Sequence, residues 1–454
     1  MLEHMDFFRS ASLCLAICWA LFDDFPSSAA QSTIALLEYT GRGDIISNPV
    51  GLRAVLDEAE DHLRTKYGFQ LNVTRKTFNI YRSNPTLCDD LETEMALWAG
   101  QLRYNETLDI AGMAIIGPDC LWTSSMNYMA KEWEIPVFVP SMHFANRGNN
   151  NRSDYSTLTR VAPFDNEEMV KFVYNVLTMF NCTTCPVVVL CDYDYYRTRE
   201  SLQGRFITSA CRALESGLHK GNKIDTKLFL VNTADTSAVQ EILIKASAIA
   251  KVIFLVAPGD RVRSIMLAAS DQLLTGKEYL YFAVQPWHET EFFGNVTWYS
   301  ETDPDRNADA RAAFDSLFKI STRFENTPEY RNLTSEVKRV SEEKYGYNFS
   351  HKDEADPFVL SYYYSLAIYG QVLNETLANG GDTSDGPALC RSMWNRTYTV
   401  LGNDVVIDAK GDRSVDWILS QMDSTDKFRP IMEYSARSGL LQPRRDPVDN
   451  STTQ

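Results

Sequence analysis

Residues 111–139 read AGMAIIGPDCLWTSSMNYMAKEWEIPVFV and decide the architecture expected for this chain. Ala111 to Ile116 is a short apolar run of strand length, and the Gly-Pro that follows ends it. Leu121 to Trp133 has the length of a helix, and Val137 to Val139 is again β-branched and aromatic. A strand, a helix and a second strand in succession are typical of a crossover unit, in which the two strands pair in parallel.

The same alternation continues on both sides of this unit. Amphipathic stretches separate the apolar runs; Leu52, Val55 and Ala59, for example, recur at helical spacing. The pattern predicts an α/β fold in which parallel strands are flanked by helices. The predicted strands are Ile34 to Tyr39, Lys76 to Tyr81, Ala111 to Ile116, Val137 to Val139, Val187 to Leu190, Lys227 to Val231, Val252 to Val256 and Tyr279 to Ala283.

Two breaks divide the alternation. Residues 142–157 are polar and turn-rich and follow the fourth strand, and a second break near Pro286 follows four more strands. Such returns of the chain predict two lobes joined by several segments, with a hinged cleft between them. After the second break the predictions are helices over Ala308 to Ile320, Ser335 to Tyr345 and Pro357 to Leu377, then a β-hairpin with strands Asp404 to Asp408 and Trp417 to Met422.

The two ends of the chain differ from its body. Residues 1–30 are predicted to be a signal peptide, because an apolar run of leader length is followed by Ser28 and Ala30 just before Gln31. A buried apolar helix is the alternative for this segment. Residues 436–454 lack a periodic apolar pattern and are predicted to be a tail or juxtamembrane linker. Elsewhere no run approaches the roughly 20 apolar residues of a membrane-spanning helix.

Ten Asn-x-Ser/Thr sequons predict a glycoprotein outside the cell, either secreted or the extracellular part of a membrane-anchored protein. The net charge of −16 disfavours nucleic acid as a partner and permits a basic peptide. The sequon asparagines are Asn72, Asn105, Asn151, Asn181, Asn295, Asn332, Asn348, Asn374, Asn395 and Asn450.

Cysteine usage suits an oxidising compartment. Removal of the predicted signal peptide leaves an odd number of cysteines, so one stays unpaired within the chain. Cys88 and Cys120 form the natural pair in the first half, and Cys390 is then either free or joined to another chain. The sequence leaves the remaining connectivity open; two local bridges are one arrangement that Cys182, Cys185, Cys191 and Cys211 allow.

Signatures of catalysis and of metal binding are not found in the sequence. The six histidines are scattered, without a zinc-binding spacing, and neither a nucleophile elbow nor a phosphate-binding loop is present. The sequence therefore favours a binding domain over an enzyme, with no metal and no organic cofactor.

Five blocks of sequence, in order, resemble the extracellular ligand-binding domain of natriuretic peptide receptors and related receptor guanylyl cyclases. The resemblance spans about residues 32–435. The blocks are Gly117-Pro-Asp-Cys120, Tyr155-Ser-Thr-Leu-Thr-Arg-Val-Ala-Pro163, Arg263-Ser-Ile-Met-Leu-Ala-Ala269, Met393-Trp-Asn-Arg-Thr397 and Gly402-Asn-Asp-Val-Val-Ile-Asp-Ala-Lys-Gly-Asp-Arg413.

The resemblance implies a two-lobed type I periplasmic-binding-protein-like fold, in which each lobe is a mainly parallel sheet flanked by helices. It implies a membrane-distal lobe 1 of residues 31–143 and 286–400, and a lobe 2 of residues 144–285 and 401–435. It also implies a homodimer that clamps one peptide hormone between two protomers. Any guanylyl cyclase activity and any contact with the membrane are expected in a longer parent chain, and a clearance-type receptor fits equally well.

Three residues register on positions that contact the peptide in that family: Asp90, Trp122 and Tyr155. Tyr195 and Tyr196, in the loop after the fifth predicted strand, are further candidates. Tryptophan and tyrosine offer rigid apolar faces with a polar tip, and an aspartate can pair with a basic hormone residue. The alternatives are core packing for the aromatic residues, a helix-start acid for Asp90 and a lobe-capping loop for the tyrosines.

The resemblance also implies a bound chloride ion beside the first disulfide, held by backbone N–H groups at Gly117 and Cys120 and by the hydroxyl of Ser83. An ordinary turn between a strand and a helix is the alternative. The main rival function is a small-ligand flytrap that binds an amino-acid-like molecule in the cleft between the lobes, where Ser141 and Gly41 would line the site.

Overall fold

The computed structural model describes residues 33–42, 49–79, 96–101, 104, 112–117, 124–140, 155–198, 202–286, 294–323, 327–347 and 357–444. Within these ranges no helix is both long enough and apolar enough to cross a bilayer. The helices are α1 Pro49–Tyr67, α2 Ser124–Glu132, α3 Asn166–Met179, α4 Tyr193–Thr198, α5 Leu202–Ser216, α6 Thr236–Ser247, α7 Gly259–Asp271, α8 Asn307–Ala313, α9 Pro328–Tyr345, α10 Pro357–Ala378 and α11 Gly386–Met393.

The first sheet has five parallel strands in the order β2-β1-β3-β4-β5. Its two faces are covered by different apolar clusters: Phe138 packs with α1, α9 and α10 on one side. Val137 and Leu158 pack with Ala130 of α2 on the other. The strands are β1 Thr33–Arg42, β2 Gln70–Asn79, β3 Gly112–Ile116, β4 Val137–Val139 and β5 Leu158–Arg160.

The second sheet has eight strands in the order β16-β15-β14-β10-β9-β8-β6-β7, of which β6 to β10 are parallel. Along β6, Val187 and Val189 face α3 and α5, whereas Val188 faces α6 and α7. Burial on both faces explains why these strands are continuous apolar runs in the sequence. The strands are β6 Val187–Asp192, β7 Thr226–Val231, β8 Val252–Val256, β9 Leu280–Val284, β10 Leu317–Thr322, β14 Trp417–Met422, β15 Phe428–Ser435 and β16 Leu440–Pro443.

A small antiparallel sheet completes the fold with β11 Arg396–Val400, β12 Asn403–Ile407 and β13 Arg413–Ser414. Tyr398 and Ile407 pack it against the cluster that contains α1 and α10. The predicted α/β class with helix-flanked parallel sheets is therefore confirmed. All eight predicted strands are present, although β2 begins and ends earlier than expected.

One predicted helix is wrong in its second half. The helix expected over residues 308–320 ends at Ala313, and after one 3₁₀ turn the chain enters β10 in the middle of the second sheet. Leu317 faces one cluster, whereas Phe318 and Ile320 face the other, and this dense apolar run has no clear period of its own. Residues expected in lobe 1 thus belong to the second sheet.

The predicted hairpin and tail also need correction. The turn at residues 408–412 is present, but β12 pairs with β11 and β13, whereas β14 pairs with β10 and β15 in the other sheet. Residues 440–443, expected in the tail, form β16 on the sheet edge. Likewise β5 pairs with β4, so the chain leaves the first sheet after Arg160 and not near residue 144. Short or edge strands carry too few apolar residues to be recognised from sequence.

The cysteines of the second lobe form two local bridges, which is the arrangement that the sequence allowed but left open. The pairs are Cys182–Cys185 and Cys191–Cys211. Cys390 is a fully buried thiol whose Sγ lies 3.2 Å from the carbonyl oxygen of Thr157. Its burial disfavours the expected alternative of a bond to another chain. The predicted pair Cys88 and Cys120 lies outside the described residues.

Six sequon asparagines lie in described segments, and five of them are exposed: Asn181, Asn295, Asn332, Asn374 and Asn395. Asn72 is half-buried on β2. The remaining asparagines, Asn105, Asn151, Asn348 and Asn450, lie outside the described ranges. Five positions therefore have room for a glycan, which leaves glycosylation itself a prediction.

Lys319 is an unusual residue in the second sheet because it is 7 % exposed in the middle of β10. Its Nζ lies 5.1 Å from the centre of the Phe428 ring, and across the described parts of the chain no carboxylate pairs with it. Burial lowers the pKa of Lys319 to about 8, because an ammonium ion loses its hydration in this apolar setting.

Replacement of Lys319 by Met should therefore stabilise the protein at pH 7, by up to about 3 kcal/mol on the pKa difference from an exposed lysine. The unfolded state binds more protons than the folded state between pH 8 and 10.5, so the wild-type free energy of unfolding rises with pH in that window. The advantage of the variant should shrink accordingly when urea unfolding is followed from pH 7 to 9.5. The exposed Lys427→Met is the control and should leave the wild-type pH dependence in place.

Candidate functional site

An aromatic surface covers the outer side of the first sheet. Tyr155 lies in the turn before β5, and its ring centroid is 6.1 Å from that of Tyr128 on α2. Tyr104 contacts Trp133 edge-on at 6.1 Å. The Tyr128 side chain is 49 % exposed and that of Tyr104 is 79 % exposed. Leu97 is also exposed, and it precedes the half-buried Trp98 in the sequence. We call Tyr104, Tyr128, Trp133 and Tyr155 the aromatic surface.

Helix α2 and strand β5 position this surface. Asn127 and Ala130 of α2 are buried, with the spacing of one helical face, so that Tyr128 projects at the margin of that face. Tyr155 is half-buried against the cluster of Val137 and Leu158. The core therefore holds the Tyr155 ring, and the exposed Tyr128 ring lies beside it. Aromatic residues of this kind are enriched where proteins contact a partner.

Strand β5 leads from Tyr155 directly to the junction of the lobes. At its end, Arg160 Nε donates a hydrogen bond of 2.6 Å to Asp412 Oδ1, and a second guanidinium nitrogen bonds Oδ2. The Arg160 N–H donates to the Gly411 carbonyl at 2.8 Å. The Arg160 and Asp412 side chains are only 10 % and 14 % exposed. The pair thus joins β5 to the turn at residues 408–412 in a nearly dry setting.

The carboxylate side of this pair is itself held in place. Asp408 Oδ1 accepts the N–H groups of Lys410 and Asp412 at 2.8 and 2.9 Å, which closes the turn. Asp165 lies 3.5 Å from the Arg160 guanidinium and also caps α3, where it accepts the N–H groups of Glu167 and Glu168. One arginine therefore links β5, the turn and the first helix of the second lobe.

Electrostatics keep Arg160 charged. Burial disfavours its guanidinium ion, but the hydrogen bonds and charge of Asp412, together with the charge of Asp165, raise the pKa of Arg160. On the other side of the crossing, the Arg413 guanidinium stacks 4.8 Å from the Tyr364 ring centre and 3.5 Å from the Val161 carbonyl oxygen. Burial lowers the pKa of Arg413.

Two further crossings are also tied by hydrogen bonds. The Arg323 N–H donates to the Asp416 carbonyl at 2.7 Å, and its guanidinium pairs with Glu433. Thr327, which caps α9, donates from Oγ1 to the Leu401 carbonyl at 2.5 Å. The first contact holds the chain to the second sheet at Arg323, and the second holds it to the small sheet at Thr327.

The residues predicted for the peptide site fall in different places. Asp90 and Trp122 lie outside the described residues, and Tyr155 belongs to the aromatic surface. Tyr195 lies on α4, where only its backbone is described. Tyr196 is half-buried, its hydroxyl accepts from Arg212 Nε at 3.2 Å and the guanidinium stacks 5.5 Å from its ring centre. These contacts agree with the alternative that the loop caps the lobe.

The residues predicted for the chloride site and for the flytrap cleft are not brought together in the described parts of the chain. Gly117 is buried with φ 96°, and its N–H donates to the Phe138 carbonyl at 2.9 Å, so this group is not directed at an ion. Ser83, Cys120 and Ser141 lie outside the described ranges, and Gly41 continues β1 and forms no turn. In the portion of the chain that the structure describes, no group of three or more His, Cys, Asp or Glu side chains is arranged to hold a metal ion.

Sequence reasoning missed Tyr128 and Tyr104. The exposure of these two tyrosines depends on their neighbours in space, which the sequence does not show. The Arg160–Asp412 pair carried no local signal either, because the two residues are 252 positions apart. Each belongs to a block quoted above, but the blocks alone do not show that they meet.

The two sheets and the helices that flank them form a periplasmic-binding-protein-like fold, and comparison with known proteins agrees. Residues 55–425 match the family described as "Receptor family ligand binding region", the ANF receptor family. The match covers most of the chain, and the chain belongs to this family.

Named relatives fit that assignment. The chain is 27 % identical over 335 residues to atrial natriuretic peptide receptor 3 of Bos taurus, covering 73 % of this chain and 59 % of the relative. It is 24 % identical over 335 residues to atrial natriuretic peptide receptor 2 of Rattus norvegicus, covering 71 % and 30 %. Receptor-type guanylate cyclase gcy-28 of Caenorhabditis elegans is 33 % identical over 204 residues, covering 42 % and 15 %. The chain thus spans 59 % or less of the length of these relatives.

Replacement of Asp412 by Asn should leave the buried Arg160 charge poorly compensated and lower the free energy of unfolding by about 3 kcal/mol. Urea unfolding followed by tryptophan fluorescence measures this loss. Asp404→Asn is the matched control, because Asp404 pairs with Arg437 at the surface, and it should cost under about 1 kcal/mol. Equal losses in both variants would show that the Arg160–Asp412 pair contributes no more to the free energy of unfolding than a surface ion pair.

Proposed function

We propose that this chain is the peptide-hormone-binding ectodomain of a receptor of the natriuretic peptide receptor type, and that two copies bind one peptide between them. The observation that supports this most directly is the family match over residues 55–425, joined to relatives that are named for a natriuretic peptide. Both the guanylyl cyclase-coupled and the clearance type of receptor fit.

The aromatic surface supplies the chemistry that such binding needs. The core already holds the Tyr155 ring and the Tyr128 ring lies beside it, and tyrosine loses little side-chain entropy when a partner covers it. The acidic chain, with a net charge of −16, attracts a basic peptide over long range. Trp122 and Asp90 remain our candidates for direct contact, on the resemblance described above.

The link through β5 offers a route for the signal. Tyr155 lies five positions before Arg160, so a partner bound at the aromatic surface acts on a strand that ends in the junction pair. A shift of β5 would change the contact with the turn at residues 408–412 and hence the relation of the two sheets. We propose that peptide binding is transmitted through this junction.

We assign no catalysis to this region, and place it outside the cell. The matched family is a ligand-binding region, and any cyclase activity would belong to a longer parent chain. The extracellular placement also suits the two disulfides and the five exposed sequon asparagines. A chloride ion near Cys120 and the pair Cys88–Cys120 are part of the same proposal.

Titration of the secreted protein with a basic, disulfide-cyclised peptide tests this function. We expect saturable heat release in calorimetry at one peptide per two chains, and light scattering should show the mass of a dimer in the complex. A linear peptide of the same composition and the twenty amino acids are the controls and should give no response.

The rival flytrap function would give the opposite result. A response to amino acids alone, at the mass of a monomer, would reject the peptide proposal and place the ligand between the lobes. A peptide bound at one per monomer would retain the hormone but reject the shared site.

Trp122→Ala should weaken peptide binding by about 2 kcal/mol, which is about 30-fold in Kd, with the thermal unfolding midpoint unchanged. Tyr128→Ala, which removes an exposed ring, should weaken binding in the same direction. Tyr299→Ala is the control because Tyr299 is 52 % exposed and lies outside the aromatic surface. Normal binding by the Trp122 variant, or loss of its thermal transition, would remove Trp122 from the site.

A further inference from the structure

One of the ten sequons contains a disulfide-bonded cysteine. Asn181-Cys182-Thr183 carries Cys182 at its middle position, and no other sequon in the sequence has a cysteine there. The glycosylation signal and the bridge to Cys185 therefore share the same residues.

Helix α3 ends at a C-terminal cap formed by the backbone around Asn181. Asn181 has φ 56°, in the left-handed region that asparagine tolerates better than most residues. Its N–H donates to the Thr178 carbonyl at 3.0 Å, and the Cys182 N–H donates to the Leu177 carbonyl at 2.8 Å. This pair of hydrogen bonds is the Schellman motif at a helix end, so the first two residues of the sequon are tied to the helix.

The bridge ties the other end of the sequon. Cys182 and Cys185 have Cα atoms 4.9 Å apart, and the Cys185 N–H donates to the Cys182 carbonyl at 3.3 Å, so Thr183 lies inside a closed turn. Cys182 is 8 % exposed and packs in the core of the second lobe, and β6 begins two residues after the bridge. Once the bridge has closed, the tripeptide is no longer an extended segment that an enzyme can surround.

We propose that disulfide closure and glycan transfer compete at this site: a molecule whose Cys182–Cys185 bond closes first keeps Asn181 unmodified. The proposal rests on the extracellular placement proposed above. Glycan transfer joins Asn181 Nδ2 to the anomeric carbon of an oligosaccharide, releases its phosphate-ester carrier and passes an amide proton to a base of the transferase. Bridge closure oxidises two thiols, and the two electrons reduce the disulfide of a protein oxidant through thiol–disulfide exchange.

The separation of the cysteines favours early closure. Only three positions separate Cys182 from Cys185, against twenty for Cys191 and Cys211, and the entropic cost of closing a loop grows with its length. The bridge is therefore able to form as soon as this segment enters an oxidising compartment. Asn181 is exposed in the folded protein, so a lack of space does not prevent its glycosylation. The order of the two reactions decides whether Asn181 is modified.

The test compares glycan occupancy in Cys185→Ser, which removes the bridge and leaves the Asn-Cys-Thr tripeptide intact. We expect mass spectrometry of the total cellular pool to show a larger glycosylated fraction of the Asn181 peptide than in the wild type. The Asn332 peptide, from an exposed sequon without cysteine, should be unchanged in the same sample. Because the whole pool is measured, the variant need not reach the native state.

Two controls separate the explanations. Cys390→Ser removes a buried thiol and leaves both bridges, and should keep the wild-type occupancy at Asn181. The double variant Cys182→Ser/Cys185→Ser leaves no stray thiol and should show the same rise as the single variant. Equal Asn181 occupancy in the wild type and in Cys185→Ser overturns the competition. An absence of glycan at every sequon would instead reject the extracellular placement.

Discussion

A guanidinium and a carboxylate at the end of β5 determine where this chain passes from one lobe to the other. Arg160 and Asp412 are mostly withdrawn from water, so each depends on the other for its hydrogen bonds. Asp165 adds a second negative charge and begins α3. The strand, the turn and the helix must therefore be in place together, and the two sheets are joined where these three meet.

The contact between Arg160 and the turn at residues 408–412 also covers the outer edge of the first sheet. β5 is the last strand of the first sheet, and its outer edge would otherwise present unpaired backbone groups. The Gly411 carbonyl accepts the Arg160 N–H at that edge, and Asp412 forms a bridge with the same residue. An edge covered in this way is closed to further strands. Because Tyr155 precedes β5, the aromatic surface and the junction are two ends of one short segment.

Several elements were predictable because their pattern is local. Val137–Val139 and Val252–Val256 were expected at the bounds observed, since strands buried on both faces are continuous apolar runs between turns. Residues 317–322 were not recognised as a strand, because this apolar run directly follows a helix and contains Lys319 in its middle. The site was partly predictable: Tyr155 followed from the family blocks, whereas the exposed Tyr128 and Tyr104 became visible only from their neighbours in space.

The alternation of strands and helices, the family blocks and the sequons could be recognised from the sequence, since each of these features depends on residues close together in the chain. The packing of the whole chain placed β14 in the second sheet, joined Cys191 to Cys211 and brought Arg160 to Asp412. Those outcomes depend on which distant segments can pack together at once. The periodicity of the sequence does not show which of these segments pack together.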